Sequence, residues 1–339
     1  MKSQEVKKID QKSQQILSNY LKKGNSLILG LSGGPDSMFL FHQLINFQKN
    51  TPCKIIATHL NHMIRKKQAD MDQEYLENIV KKLENPQIIY ESKKIDIKKL
   101  SKKNKTSIEE EGTNQRYKFF KQQAKKYQTK YILTAHHAND NLESILMNFV
   151  RGTGLVGLSG MQEIQSLNPN LFLLRPLLNF SKNEILNWLK FHKIKYLKDH
   201  TNEDTKYRRN FLRHKILPHL LELNPNLAKT ASHTSQQIRQ TQDYLDKQAQ
   251  SWIKRNSLNK SITRLNAKSF RKTHEILQKN ILRQIHKIHI GHTKNLESIH
   301  IDEVLKIINQ NIGNKQKKLG KIQISLKRNI IFIQYRNNL

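Results

Sequence analysis

Four short apolar runs punctuate the first 136 residues: "SLILGL" (26–31), "KIIATHL" (54–60), "QIIYES" (87–92) and "YILTAH" (131–136). Longer amphipathic stretches lie between them, near 36–48, 66–84 and 114–127, and another follows at 140–150. Strand-length apolar runs alternating with helix-length text predict a parallel sheet covered by helices on both faces. A fifth run, "LFLLRPL" (171–177), follows a glycine-punctuated loop, "RGTGLVGLSGM" (151–161). Apolar spacing predicts a leading helix over 4–22, another from about 181 to 194, and a last one in "RHKILPHLLEL".

The text changes character after "NPN" at 224–226. Polar, Gln- and Lys-rich helical sequence runs to about 287, and a further helix is expected near 296–310. The end, "KIQISLKRNIIFIQY" (321–335), reads as two short strands joined at Arg328-Asn329. The expected organisation is an α/β domain over 1–222, then a smaller, mainly helical basic domain over 223–339 with a terminal hairpin.

Net charge is +33, from 60 Lys and Arg against 27 Asp and Glu. Such a surplus repels itself unless a polyanion is near, so nucleic acid or an anionic membrane is the natural partner. Compositional drift toward Lys, Asn and Ile is the alternative source. The surplus is densest at the end, where residues 221–339 hold 22 Lys and Arg against 7 acids. One cysteine, Cys53, excludes disulfides, Cys-rich zinc sites and thiol relays within the chain. No segment approaches the roughly 18 to 20 apolar residues that span a bilayer, and the N-terminus lacks an apolar signal core. The expectation is a cytoplasmic protein with no membrane partner; oligomeric state is left open, a homodimer among the options.

Two constellations carry chemistry. In "SGGPDS" (32–37), Gly33 and Gly34 permit a tight turn, Ser32 and Ser37 offer hydroxyls, and a helix beginning near Asp36 aims its positive dipole end at the turn. This is a phosphate cradle, or an ordinary strand-to-helix turn with Asp36 as N-cap. It is not a Walker loop, because no Gly-Lys-Ser/Thr follows. An acid inside an anion site implies a bridging cation such as Mg²⁺. The second, "TAHHANDNLES" (134–144), gathers His136, His137, Asp140 and Glu143 at the end of a later strand. It suits a metal ion or an amine; alternatively Asp140 and Glu143 form a capping box.

"SGGPDS" resembles the PP-loop of the N-type ATP pyrophosphatases, which cleave ATP between the α- and β-phosphates. Further segments narrow the likeness: "THLNHMIR" (58–65), "EEEGTNQRYKFF" (109–120), "TAHHANDNLESILMNFVRGTGLVGLSGM" (134–161), "LLRPLL" (173–178) and "KDHTNEDTKYRRNFLRHKILPHL" (198–220). In this order they are similar to the successive motifs of the tRNA(Ile)-lysidine synthases. The chain departs from the family at Met63, Asn141, Ser144, Gly112 and Asn114.

The resemblance implies ligation of free L-lysine to C2 of the wobble cytidine in the CAU anticodon of isoleucine tRNA, with ATP and Mg²⁺. It assigns Ser32, Gly33, Gly34, Pro35, Asp36, Ser37, Asn61 and His62 to ATP, and Asp36, Arg116, His136, Asp140 and Glu143 to catalysis. Arg116 and His136 would be phosphate-contacting cations. Asp140 and Glu143 would hold lysine, Arg209 and Arg213 the RNA or substrate, and Asp36 and Asp140 the metal. The basic text over 254–272 would grip tRNA phosphates. A tRNA-thiolating enzyme of the same superfamily is disfavoured by the single cysteine, and an amidotransferase synthetase by the lack of a glutaminase domain. A non-catalytic tRNA binder has no use for acids in a polyanion site.

Overall fold

The computed structural model describes residues 3–64, 67–197, 208–293, 296–312 and 315–335. Arg65 of the second motif, Lys66 of the helix expected over 66–84, and residues 198–207 of the last motif lie outside them. Two compact units divide the chain, Met1–Gln236 and Gln237–Leu339.

In the first unit, α1 (Ser3–Tyr20) leads into β1 (Ser26–Gly30), α2 (Pro35–Asn50), β2 (Lys54–Asn61), α3 (Lys67–Lys81) and β3 (Ile88–Lys94). Two helices, α4 (Ile97–Asn104) and α5 (Ile108–Lys126), then precede β4 (Tyr131–Leu133) and α6 (Ala138–Arg151). After α7 (Leu155–Leu158) come β5 (Ile164–Asn168), β6 (Leu171–Leu174) and α8 (Lys182–Phe191). The unit closes with α9 (Arg208–Phe211), a π-helical turn (Leu212–Ile216), α10 (Leu217–Leu223) and the start of α11 (Leu227–Asn256).

The sheet order is β3-β2-β1-β4-β6-β5. All pairs are parallel except β5 with β6. Strand alternation sorts its side chains onto two cores. Leu27, Leu29, Ile55, Ala57 and Leu133 face a cluster built with α1, α2 and α8, whereas Ile28, Ile56 and Ile132 face Phe119, Phe120 and Ala124 of α5. Burial on both faces explains why the strands read as continuous apolar runs. From β1 the chain goes first to β2 on one side and later to β4 on the other. The crevice beyond the carboxyl ends of β1 and β4 is thus a topological switch point, where open α/β sheets bind ligands.

Three elements depart from the sequence expectation. β5 carries exposed Ile164, Gln165 and Ser166 and so showed no apolar pattern. The lysine-rich α4 is held by its cap, Asp96, which accepts the Lys99 N–H at 2.9 Å. Helix α5 starts at Ile108, not near 114, because Ser107 caps it and Glu109, Glu110 and Glu111 in its first turn favour the helix dipole.

The second unit contains the rest of α11, then β7 (Arg264–Asn266), α12 (Ala267–Arg271), α13 (Glu275–Ile290), α14 (Ser298–Asn309), β8 (Gln316–Leu319), β9 (Ile322–Lys327) and β10 (Ile330–Tyr335). The expected hairpin is β9–β10, turning through Arg328 (φ 47°) and Asn329 (φ 57°), the two positive values that a type I′ turn requires. Beyond that expectation, β7 and β8 extend it to an antiparallel sheet, β7-β10-β9-β8. Its buried face (Leu265, Ile324, Leu326, Ile331, Ile333) packs on Phe270, Ile281, Ile285, Val304 and Ile308.

Helix α8 is seated in the first unit by Trp188, which stands edge-on to Phe39 of α2 at 5.0 Å and donates Nε1–H to Asp10 at 2.8 Å. Trp188→Ala is expected to cost about 3–5 kcal/mol, read as a lower urea midpoint.

Candidate active site

The loop after β1 is built around Gly33. Its φ of +84° is a left-handed conformation, and a Cβ there would lie 2.5 Å from Leu197 Cδ1, so only glycine fits. Leu197 N–H also donates to Gly33 C=O at 2.9 Å. Gly34, not Asp36, is the N-cap of α2, and Pro35 opens the helix at a position that needs no N–H donor. Ser37 donates to Gly34 C=O at 3.0 Å, and Ser32 donates to Ser37 Oγ at 3.1 Å. The first-turn amides of α2 lie outside the helix ladder, beside two hydroxyls and a turn with no side chain in the way.

Asp36 points from this cradle toward the end of β4. Lys182, the first residue of α8, meets Asp36 Oδ1 at 2.6 Å, and His137 Nε2 lies 3.5 Å from the same oxygen. His137 is the N-cap of α6; its N–H donates to Asp140 Oδ2 at 3.0 Å and its Nε2 lies 3.5 Å from that oxygen. The cap pair is therefore His137 with Asp140, which leaves Glu143 free of capping duty.

Glu143 is 2% exposed and gripped from two directions. Arg209 Nε donates at 2.7 Å; Arg213 Nε and Nη2 donate at 2.7 and 2.8 Å. Both arginines also reach Asp140 Oδ1, at 3.1 and 3.4 Å. Arg209 lies on α9 and Arg213 on the π-helical turn that follows. Burial opposes ionisation of Asp140, but the charges of His137 and Arg209 outweigh it and hold the carboxyl below its usual range. Burial alone would lower the Arg213 pKa; Glu143 and Asp140 reverse that and raise it.

His136 hydrogen-bonds Thr134 Oγ1 through Nδ1 at 3.0 Å. Burial pushes its pKa down to about 4; Asp140 opposes this, while Arg175, Arg209 and Arg116 reinforce it. His136 is therefore a neutral imidazole at pH 7, whereas the resemblance cast it as a cation. Arg116, on α5, acts on both His136 and His59 through its charge. Asn61 is spent on structure: Nδ2 donates to Ala69 C=O and Asp70, and Oδ1 accepts the Met63 N–H at 2.9 Å, joining β2 to α3. The neighbouring His62 ring lies against Gly112 of α5.

Asp36, Asp140, Glu143, Arg209 and Arg213 thus join one polar cluster beside the cradle, with His136 adjacent, while Asn61 and His62 are anchored at the next strand end. Two participants, Lys182 and Arg175, were not singled out from sequence, and His137 was named without a role. Lys182 had a signal: a cation in the first turn of a helix opposes the dipole and requires a carboxylate nearby. His137 stood beside His136 in the quoted motif. Arg175, 8% exposed and bound to Gln162 C=O at 2.9 Å, lay within the quoted segment "LLRPLL" but was given no role there.

Among the described residues no group of three or more His, Cys, Asp or Glu side chains could hold a metal ion, and no helix is long and apolar enough to cross a membrane. Asp140 has its oxygens filled by Arg209, Arg213 and the His137 N–H. Asp36, at the cradle mouth, fits the single carboxylate that a magnesium ion carried by a triphosphate needs.

The His136 pKa sets a stability signature. The unfolded imidazole, near 6.5, binds a proton that the folded one refuses until about pH 4. The contribution is therefore full above pH 6.5 and lost as pH falls toward 4. Between pH 7 and 5 it amounts to about 2 kcal/mol. His136→Gln is expected to remove that share of the acid destabilisation, seen by comparing urea midpoints at the two pH values.

Residues 5–220 match the family model of the PP-loop domain. A tRNA(Ile)-lysidine synthase of Clostridium tetani is 33% identical over 85% of this chain and 61% of its own length. One of Clostridioides difficile is 30% identical over 95% of this chain and 67% of its own. The chain thus spans about three fifths to two thirds of these relatives. A solved U34-tRNA thiolase of Methanococcus maripaludis, 19% identical, covers 69% of this chain and 78% of its own with a TM-score of 0.57, a likeness of fold. With its glycine cradle, its switch-point crevice and these matches, the chain belongs to the PP-loop family, among the tRNA(Ile)-lysidine synthases.

Proposed function

We propose that this protein joins the ε-amine of free L-lysine to C2 of the wobble cytidine, position 34, of isoleucine tRNA with a CAU anticodon. ATP becomes AMP and pyrophosphate. The observation that carries the reading is the cluster of ion pairs in which Asp36 meets Lys182, and Asp140 and Glu143 meet Arg209 and Arg213, with His137 between the two groups. In it, three acids balance three cations beside an anion cradle. A polyphosphate draws the cations to itself and frees carboxylates to hold an ammonium group, as joining a triphosphate to an amine requires.

The C2 oxygen of cytidine is a poor leaving group until it attacks the α-phosphate and expels pyrophosphate. The amides and hydroxyls of Ser32, Gly33, Gly34 and Ser37 hold the leaving pyrophosphate, with Pro35 fixing the helix start. Asp36 would hold the magnesium ion, which supplies charge neutralisation at the phosphates. Arg116 and neutral His136 contact the α-phosphate; an arriving anion raises the His136 pKa. Asp140 and Glu143 exchange the two guanidinium groups for the charged groups of lysine, and Arg209 and Arg213 turn to the phosphates of nucleotide or RNA. Lysine's neutral ε-amine then attacks C2 and AMP leaves.

Residues 1–222 would form the catalytic domain, and 223–339 the tRNA-binding domain, with 254–272 on phosphates. A flipped-out base in a loop is the usual object of sequence-specific RNA recognition. Thiolation by this chain alone is opposed by Cys53, which is buried with its thiol pushed up to about 11 by desolvation.

Incubating the protein with ATP, magnesium, lysine and this tRNA should release AMP and add one lysine to one cytidine. RNA binding with no AMP would sink the reading in favour of a non-catalytic binder. Asp140→Asn should lower kcat/KM for lysine by about 30-fold or more. Full activity in that variant would remove Asp140 from the site.

A further inference from the structure

The sheet of the second unit has one covered face and one open face. Pairing register places Arg264, Phe332, Ser325 and Gln316 in one row across the open face, from β7 through β10 and β9 to β8. Lys318 and Lys327 lie on the same face in the neighbouring rows. Antiparallel sheets commonly turn one polar face to water, but an aromatic ring there is out of keeping with that role. Phe332 is half-buried, with Ile330 beside it on β10 and polar residues opposite it on both adjoining strands, and the Arg264 guanidinium stands over its ring at 5.7 Å. Arg264, Lys318 and Lys327 are exposed, and no Asp or Glu occupies any position of this face.

We infer that this open face is a stacking platform for unpaired RNA bases, with Phe332 and Arg264 contacting the base and Lys318 and Lys327 the flanking phosphates. Aromatic rings and guanidinium planes are the groups on which splayed bases stack, because every base presents a π-face. Cations without acids complement a phosphate backbone and repel a basic protein surface. A strand rise of about 3.3 Å per residue and a strand spacing of about 4.8 Å put Lys327 and Lys318 within a nucleotide or two of Phe332. The inference draws on the reading above only for which RNA is bound; a single strand of any origin meets the same chemistry.

The test uses the full chain and a fluorescently labelled unpaired RNA 12-mer, with the corresponding duplex as competitor. The single strand should bind better than the duplex. Phe332→Ala should weaken it by about 5-fold or more, and Phe332→Leu similarly, whereas Phe332→Tyr should restore it. Ultraviolet irradiation of wild-type protein with 4-thiouridine RNA should crosslink the β10 peptide, a readout independent of variant folding. Unchanged affinity in Phe332→Ala, a leucine variant that binds like wild type, equal binding of duplex, or crosslinks confined to other peptides would each overturn the platform. A protein partner that covers the face and blocks the crosslink would also overturn it. AMP release from tRNA with normal RNA binding by Phe332→Ala defeats this inference alone. Phe332-dependent binding without AMP release defeats only the ligase reading.

Discussion

A carboxylate that is almost wholly removed from water is costly unless charged donors surround it, and breaking one such partnership leaves an uncompensated ion. Glu143 meets that constraint with two arginines set four residues apart on the same stretch of chain. Residues four apart share a helix face, so both guanidinium groups reach one carboxylate, and the π-helical turn at Leu212–Ile216 carries the second of them. The pairing also ties the end of the first unit's chain to the crevice beyond β1 and β4. The three acids and three cations there leave little net charge, so the crevice can form without ligand and still offer both signs when one arrives.

The same economy appears in His136. A fourth positive charge would crowd Arg116, Arg175 and Arg209, and burial disfavours it further, so the imidazole stays neutral. The resemblance named the residue; its neutral state followed first from its burial and then from the arginines that the fold brings near it. Arg116 illustrates the converse, because nothing in its helical surroundings marks it, yet α5 lies across the face of the sheet that brings its charge to bear on β2 and β4.

The parallel core was legible because strands buried on both faces carry apolar runs, as Leu27–Leu29 of β1, Ile55–Ala57 of β2 and Ile132–Leu133 of β4 do. The cradle was legible because Gly33 and the helix start are adjacent in sequence. What lay hidden was set by partners far along the chain. Lys182 reads as a solvated lysine until Asp36, 146 positions away, is seen against it. Strand β5 was unreadable for the opposite reason: it is an edge strand made by hydrogen bonds to β6, not by burial of its own side chains. In the second unit the hairpin was visible through Arg328-Asn329, but β7 and β8 are short flanking strands that only the finished sheet defines.

Asn141 shows how a departure from the family pattern is absorbed. Its Oδ1 takes the Met161 N–H at 2.7 Å, and a Cβ on Gly160 would meet that oxygen at 2.3 Å. The amide therefore pins the glycine-punctuated loop at a point where the loop tolerates no side chain. The two positions act as a matched pair: a longer amide at 141 would need the loop to stand off, and a bulkier residue at 160 would need a shorter side chain at 141. Change at either position is thus constrained by the other, beside Asp140 and Glu143 on the same turn of α6.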